Sequence, residues 1–582
     1  MAGNTQIIEY ILIMKNSTIL QKARLFSCLL VVLHGPVQAG EITTTAGIAS
    51  AHPLATKAGM KILRQGGNAF DAAIAITSTL AVVEPYSSGL GGGGFWLLYQ
   101  KKTNKYIMID GREKAPLAAT RDMYLDKKGN VEPGKSMQGA LASGIPGVPA
   151  AMVYLARHYG RFTLNKNLAH AVNYARHGYR INKTYRLYAK LRLKALRKNR
   201  EAARIFLNNN EVPPEGYILK QPDLAKTLEN ISKNGINGFY SGKTAKALVN
   251  GVTRAQGIWS MQDLAQYQIV ERKPVIFKYH NNRIISASPP SSGGIALAET
   301  LGILEAYNLG KIDKPAKIHL VTESMRRAYA DRARFMGDPD FISIPTQWLL
   351  GKKHIASWRN SIRLDEATPS EFISDVRETG IKGLDTTHFS IIDKFGNMVS
   401  ATLSINYPFG ACFVPPGTGV LLNDEMDDFS SKPGVPNIYG LVGAEANSIA
   451  GGKRPLSSMS PTFIENKDRI AVIGTPGGSR IISMVLLGIL EFADGKTAKE
   501  IVGKRRYHHQ YLPDFIMYEE NALNKNEASR LRELGHTLKQ KMSPYGGGLG
   551  VYGNMQIVIL NRKDGSITAA SDPRGLGLSI VK

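Results

Sequence analysis

Cysteine is nearly absent from this chain. Its 582 residues include two, Cys28 and Cys412. Cys28 lies inside an apolar leader-like stretch and not at its end, which argues against a lipid anchor and leaves Cys412 alone in the rest of the chain. A lone thiol excludes internal disulfides, even in a compartment that would permit them. Long apolar runs are missing too, and none approaches the roughly 20 residues a transmembrane helix needs. Acidic residues are the minority, 47 against 73 Lys and Arg, for a formal charge of +26. No aromatic platform or recognised module accompanies that excess, so nucleic-acid binding is not expected. The glycine run from Gly89 to Gly94 lacks a Gly-Lys-Ser/Thr ending and precedes a strand, which excludes a phosphate loop. No internal repeat or low-complexity segment is present.

What is there describes a soluble globular protein of one large or two ordinary domains, 43% hydrophobic and 21% charged. Residues 1–39 read as a signal peptide: Lys15, Lys22 and Arg24 precede an apolar run, and Val37-Gln38-Ala39 resembles a small-x-small cleavage site. Met14 is an alternative start. The segment predicts export to the periplasm or the medium. Basic charge is concentrated at 183–204, where Leu187, Leu191 and Leu193 are expected to form the apolar stripe of a helix whose basic face is solvated.

The first two-thirds read as mixed α/β. Thr56 to Val83 is helical with a break at Gly66-Gly67-Asn68, and the glycine run leads into a strand over Phe95 to Tyr99. Helical patterns continue to about residue 270, a strand pattern covers Val275 to Ser286, and Pro289 to Gly294 form a turn. Strands and Gly/Pro turns dominate 386–582, with few helices. Within them, Thr386 to Asp393 alternates like a strand, 394–397 are turn residues, and Met398 to Asn406 reads as the return strand. Pairing Asp393 with Met398 brings Ser404 to within a residue of the position opposite Thr386, with Asn406 on the same face. A strand-start threonine is chemically ordinary unless activated. Cleavage of the chain just before it would make its own α-amine the base.

Seven motifs in order give that threonine its context. They are Gly-Gly-Asn-Ala-Phe-Asp-Ala-Ala (66–73), Gly-Arg-Glu-Lys-Ala-Pro (111–116), Asp-Thr-Thr-His-Phe-Ser (385–390), Asn-Asp-Glu-Met-Asp-Asp-Phe (423–429), Pro-Leu-Ser-Ser-Met-Ser-Pro-Thr (455–462), Pro-Gly-Gly-Ser-Arg (476–480) and Ser-Asp-Pro-Arg (571–574). Together they resemble the gamma-glutamyltransferases, self-cleaving N-terminal-nucleophile hydrolases, over essentially the whole chain after the leader. The resemblance implies an α+β fold, a four-layer αββα sandwich. It also implies a cut between Asp385 and Thr386 that leaves a large subunit (40–385) and a small subunit (386–582) as a heterodimer.

By the same resemblance, Thr386 is the nucleophile that takes up the γ-glutamyl group of glutathione and similar γ-glutamyl amides. Water or an amino-acid or dipeptide acceptor then receives it. Ser404 stands where many relatives have threonine. Arg112 matches the residue that grips the α-carboxylate, helped by Ser457 and Ser458. Asn406, Glu425 and Asp428 match those that hold the α-ammonium, and the N–H groups of Gly477 and Gly478 match the oxyanion hole. The stretch from Lys432 to Gly443 resembles a lid with Tyr439 as its gate. No cofactor and no metal are implied, and His508-His509, whose neighbouring side chains would point to opposite strand faces, is not assigned one. Read alone, Arg112-Glu113 is a surface ion pair, Glu425 to Asp428 an acidic loop, and Ser457-Ser458 and Gly477-Gly478 turn residues. Two other functions stay open: a glutaryl-cephalosporin acylase of the same fold, and an unprocessed cell-surface binding protein.

Overall fold

The computed structural model describes residues 45–373, 386–541 and 552–582. The expected leader, residues 1–39, and Asp385 lie outside the described residues. Two antiparallel sheets stack face to face. The first has seven strands in the order Leu578–Val581, Gly47–Ser50, Thr387–Ile392, Met398–Ser404, Gly93–Gln100, Lys105–Gly111 and Val270–Arg272. The second has six, in the order Ile567–Ser571, Gln556–Asn561, Arg469–Gly474, Thr462–Glu465, Asn282–Ser286 and Val275–Tyr279.

Alternation along one strand shows how the layers form. In Gly93–Gln100, Phe95 and Leu97 enter the core shared with Phe463 and Val472 of the second sheet. Trp96 and Leu98 enter the core formed with the Ala69–Val83 helix and its neighbours. Helices Gly293–Leu304, Lys314–Phe335 and Ile481–Ala493 cover the second sheet. The result is the α+β αββα sandwich.

Local chemistry explains the joints. The Pro53–Arg64 helix stops before Gly66, whose φ of 94° suits glycine. The next helix, Ala69–Val83, opens with a capping box between Asn68 and Asp71. Asp71 also accepts from the backbone of Arg161 and Phe162, so much of the 66–73 motif is structural. Asp393 accepts from Ala69 N–H at 2.8 Å and from Asn397 Nδ2 at 2.9 Å, tying the start of that helix to the turn of the Thr387–Ile392 hairpin.

Three sequence expectations need correction. The pattern over Val275 to Ser286 is a hairpin, Val275–Tyr279 and Asn282–Ser286, because His280 takes a φ of 48° and turns the chain. The Lys183–Lys198 helix buries Tyr185, Tyr188, Ala189, Arg192, Ala195 and Leu196, while Leu191 is exposed. Arg192 is inside because its Nε donates to Cys412 Sγ at 3.2 Å and its Nη2 to Gly410 C=O at 2.8 Å. Burial, partly offset by Arg192, pushes the Cys412 thiol up to about 11, which makes it an inert packing residue. The 387–404 hairpin pairs Met398 with Ile392, one residue from the expected register. Extended by this register, Ser404 falls opposite Thr386 itself.

Candidate active site

Thr386 sits just before the Thr387–Ile392 strand, buried, at the junction of two small cavities. One, about 20 Å³, is lined by Arg112, Ser404, Asn406, Glu425, Asp428 and Tyr439, with Ser457, Ser458 and Gly478 also on its wall. The other, about 30 Å³, holds Glu84, Tyr86 and Gly477. Every side chain picked out by sequence as catalytic or substrate-binding therefore touches one of these two spaces. A far larger open groove, about 970 Å³ near Lys278, Arg283 and Arg562, contains none of them.

Strand geometry sorts the neighbours of Thr386. Thr387 points to the helical side, where its hydroxyl donates to Glu84 Oε2 at 2.8 Å. His388 points between the sheets, bonded to Thr402 Oγ1 at 2.8 Å and Ser390 Oγ at 3.2 Å. Burial lowers its pKa to about 3, so it stays neutral, locked away from any role as a base. Ser404 Oγ accepts from Asn406 N–H at 2.7 Å and the Ser404 side chain hydrogen-bonds Glu425. The strand has ended there: Asn406 has a φ of 72°, so its position reflects a tight turn and not strand alternation. Its Nδ2 donates to the carbonyl of Asp424 at 2.9 Å.

The charged wall differs from the expected arrangement. Arg112 and the acids are not held at two separate points; Arg112 donates to Glu425 and Asp428, each at 2.5 Å, and approaches Glu113 at 3.4 Å. In a buried site opposite charges pair with one another, because neither finds water. Burial works against the charge on Arg112, but Glu425, Asp428 and Glu113 outweigh it and raise the guanidinium above its ordinary range. Burial raises Glu425 to about 7 against the pull of Arg112, and raises Glu113 well above the ordinary range. One arginine among three acids leaves room for further positive charge.

Ser457 and Ser458 do not bond Arg112 here. The Ser457 hydroxyl accepts from Met459 N–H at 3.1 Å, and Ser458 Oγ accepts from Arg332 Nη2 at 3.3 Å. Arg332, whose Nε donates to Ser292 Oγ at 3.0 Å, escaped the sequence reading. So did Glu84, which burial pushes up to about 7. The sequence signal for each was thin: an arginine in a charge-rich helix, and a carboxylate closing an otherwise apolar one.

Gly477 and Gly478 follow the Arg469–Gly474 strand with φ of 140° and 56° and lead into the Ile481–Ala493 helix, whose N-terminal end favours negative charge. A Cβ on Gly478 would fall 2.2 Å from the ring of Tyr439. That ring caps the cavity. Its hydroxyl donates to Asn406 C=O at 2.7 Å, while Asn437 Nδ2 reaches Asp428 at 3.1 Å and Ile438 N–H reaches Asp427 at 2.9 Å. The 432–443 loop is thus pinned across the acidic wall. His508 and His509 have separate partners: Ser483 and Gln510 for the first, Asp514 for the second.

A family model described as Gamma-glutamyltranspeptidase matches residues 55–581. The "Glutathione hydrolase proenzyme" of Pseudomonas sp. (strain A14) is 41% identical over 532 residues, 90% of this chain and 92% of the relative. The protein of the same name from Escherichia coli (strain K12) is 39% identical over 536 residues, 91% of this chain and 90% of the relative. Among solved structures, cephalosporin acylase from Bacillus halodurans superposes with a TM-score of 0.81 at 25% identity, covering 92% of this chain and 95% of that one. Helicobacter pylori gamma-glutamyltranspeptidase superposes with a TM-score of 0.55 at 40% identity, covering 56% of this chain and 94% of that one.

Proposed function

Because this chain belongs to the gamma-glutamyltranspeptidase family, we propose that it is a self-processing γ-glutamyltransferase and glutathione hydrolase with Thr386 as its nucleophile. The observation that carries this reading is the convergence on Thr386 of a buried arginine–carboxylate wall, a facing serine and a positive-φ diglycine.

Thr386 Oγ first attacks the carbonyl of Asp385. The peptide becomes an ester, and water hydrolyses it, releasing a 40–385 large subunit and a small subunit that begins at Thr386. The freed α-amine has an ordinary pKa of roughly 7.7–8, so an appreciable neutral fraction serves as base near neutral pH. That assignment agrees with the locked, neutral His388.

A γ-glutamyl amide enters as a zwitterion. Its α-carboxylate takes the two-pronged face of Arg112, assisted by Ser457 and Ser458, and its α-ammonium replaces Arg112 as partner of Asp428 and Glu425, with Asn406 completing its contacts. The substrate thereby exchanges one set of ion pairs for another instead of desolvating bare charges. Thr386 Oγ attacks the γ-carbonyl, the N–H groups of Gly477 and Gly478 receive the developing oxyanion, and the amine leaves with a proton. Water or an amino-acid or dipeptide acceptor then takes the acyl group. Tyr439 shields the ester from bulk water while the 432–443 loop is closed. Residues 1–39 act as the signal for export to the periplasm or the medium.

A cephalosporin acylase shares this fold, but a glutaryl side chain, the alternative substrate, lacks the ammonium that Asp428 and Glu425 would receive. The deciding experiment is intact-mass analysis of the wild type beside Thr386→Ala. Two fragments, one starting at Thr386, are expected from the wild type and a single uncut chain from the variant. A wild type that stays uncut after long incubation would overturn the assignment and favour an unprocessed binding protein.

A further inference from the structure

A second cluster of ionisable groups lies away from Thr386, among helices covering the second sheet. Glu299 comes from Gly293–Leu304, Asp331 from Lys314–Phe335 and His354 from Lys352–Asn360. Glu299 stands in an otherwise apolar helix face and is 0% exposed; no N–H or hydroxyl donor reaches its carboxylate oxygens, and its polar neighbour is the Asp331 carboxyl. Two carboxyls buried against each other need a shared proton or a cation between them, because ionising both in a dry site costs several kcal/mol. Asp331 is better served: His354 Nε2 and Trp358 Nε1 both meet its Oδ2 at 2.6 Å. His354 Nε2 is 4.0 Å from Glu299 Oε1. One atom from each of the three side chains lies within 4.8 Å of the others.

We propose that Glu299, Asp331 and His354 bind a divalent transition-metal ion, with Zn²⁺ the occupant that the donor set fits best. Tetrahedral zinc with N and O ligands near 2.0–2.2 Å places those atoms about 3.3–3.5 Å apart. The separations of 2.6 and 4.0 Å from His354 bracket that value, so small side-chain adjustments close the site. Calcium and magnesium demand more oxygen ligands than two carboxylates supply. A cavity of about 240 Å³ lined by Asp331, His354, Trp348, Trp358, Phe335 and Arg334 adjoins two of the three ligands, with room for water as the fourth.

The surroundings suit an ion held by protein ligands. Trp358 Nε1–H would remain on Asp331 as the outer hydrogen bond that orients a ligating carboxylate. The His354 ring packs against Trp348, with centroids 4.0 Å apart. His354 would coordinate through Nε2, moving its proton to Nδ1. Without the ion, burial and then Asp331 hold Glu299 in its protonated form. Metal binding releases that proton, and affinity falls at lower pH. The other buried cluster of this kind, His319, Glu323 and His536, lacks free ligand atoms: Glu323 pairs with Arg326 and Arg327, and His319 is bonded to His536 and to Arg363 C=O.

The test uses untagged, chelator-treated full protein. Zn²⁺ content is measured after dialysis, and Co²⁺ is added separately to read the visible band of a tetrahedral site. One equivalent of Zn²⁺, a Co²⁺ band and a Zn²⁺-dependent rise in Tm are expected in the wild type. Glu299→Gln and His354→Gln should each weaken binding at least about tenfold and abolish the Tm shift. His354, 8% exposed at the cavity rim, provides the safer variant should Glu299→Gln fail to fold. Substoichiometric Zn²⁺ in the wild type, or equal binding in wild type and variant, would overturn the proposal and leave a proton shared between Glu299 and Asp331. Neither result bears on Thr386, whose cleavage is read by mass.

Discussion

The two buried acidic clusters answer the same electrostatic problem differently. Beside Thr386, three acids surround Arg112, whose guanidinium supplies compensation from within the chain. At Glu299 and Asp331 no arginine or lysine pairs with either carboxylate among the described residues, although Arg334 lines the adjoining cavity. The first cluster can therefore exchange its internal ion pairs for those of an incoming zwitterion. The second can only take up a proton or a cation. Burial raises Glu113 and Glu425 in the first and Glu299 in the second, and the presence of a resident cation decides what each cluster can bind.

Removing that cation should break the contrast. Arg112→Gln strands the buried Glu113 and Glu425 and the partly buried Asp428, with an expected stability loss of about 3–5 kcal/mol in denaturant titrations, together with loss of γ-glutamyl transfer. Arg112→Lys should keep more stability than activity, since an ammonium cannot reproduce the two-pronged contact.

Glu84 sharpens the comparison as a buried acid partnered by the hydroxyls of Thr387 and, at 3.5 Å, Tyr86. Its carboxyl rises from an ordinary 4.5 to about 7. Its stabilising influence is therefore fully present below about pH 4.5 and is lost as pH rises to about 7, amounting to about 3 kcal/mol. Glu84→Gln should flatten that part of the stability–pH profile; an unchanged slope would show that Glu84 is ionised throughout.

Arg332 tests whether a cation outside the acidic wall matters. Arg332→Gln frees Ser458 and Ser292, and KM for a γ-glutamyl donor is expected to rise about tenfold, roughly 1.4 kcal/mol, with kcat changing less. A larger fall in kcat than rise in KM would assign Arg332 to the chemical step. The smallest effect belongs to Tyr439→Phe, which removes one hydrogen bond to Asn406 C=O. About 1 kcal/mol of loop stability should go, read as a higher ratio of hydrolysis to transfer while processing proceeds normally.

Local chemistry was legible without coordinates. The Gly66-Gly67-Asn68 break, the strand after Gly89 to Gly94 and the 387–404 hairpin follow from turn residues and periodicity. The hairpin register missed by one residue because Asp393 belongs to the turn, holding Asn397 and the start of the Ala69–Val83 helix. The expected leucine stripe at 183–198 failed because Arg192 gained buried partners from distant segments. Such partners leave no periodic trace.

The sequence by itself determined the family, the layered fold, the candidate nucleophile and nearly every residue around it, because motif order and strand alternation are properties of the chain. Tertiary structure decided that Arg112 pairs with Glu425 and Asp428 and that Arg332 stands behind Ser458. It also decided that Glu299 meets Asp331 and His354. Those three residues are spread over 56 positions of sequence, and only the packing of three helices brings their charges into one dry space, where low dielectric makes each partner matter.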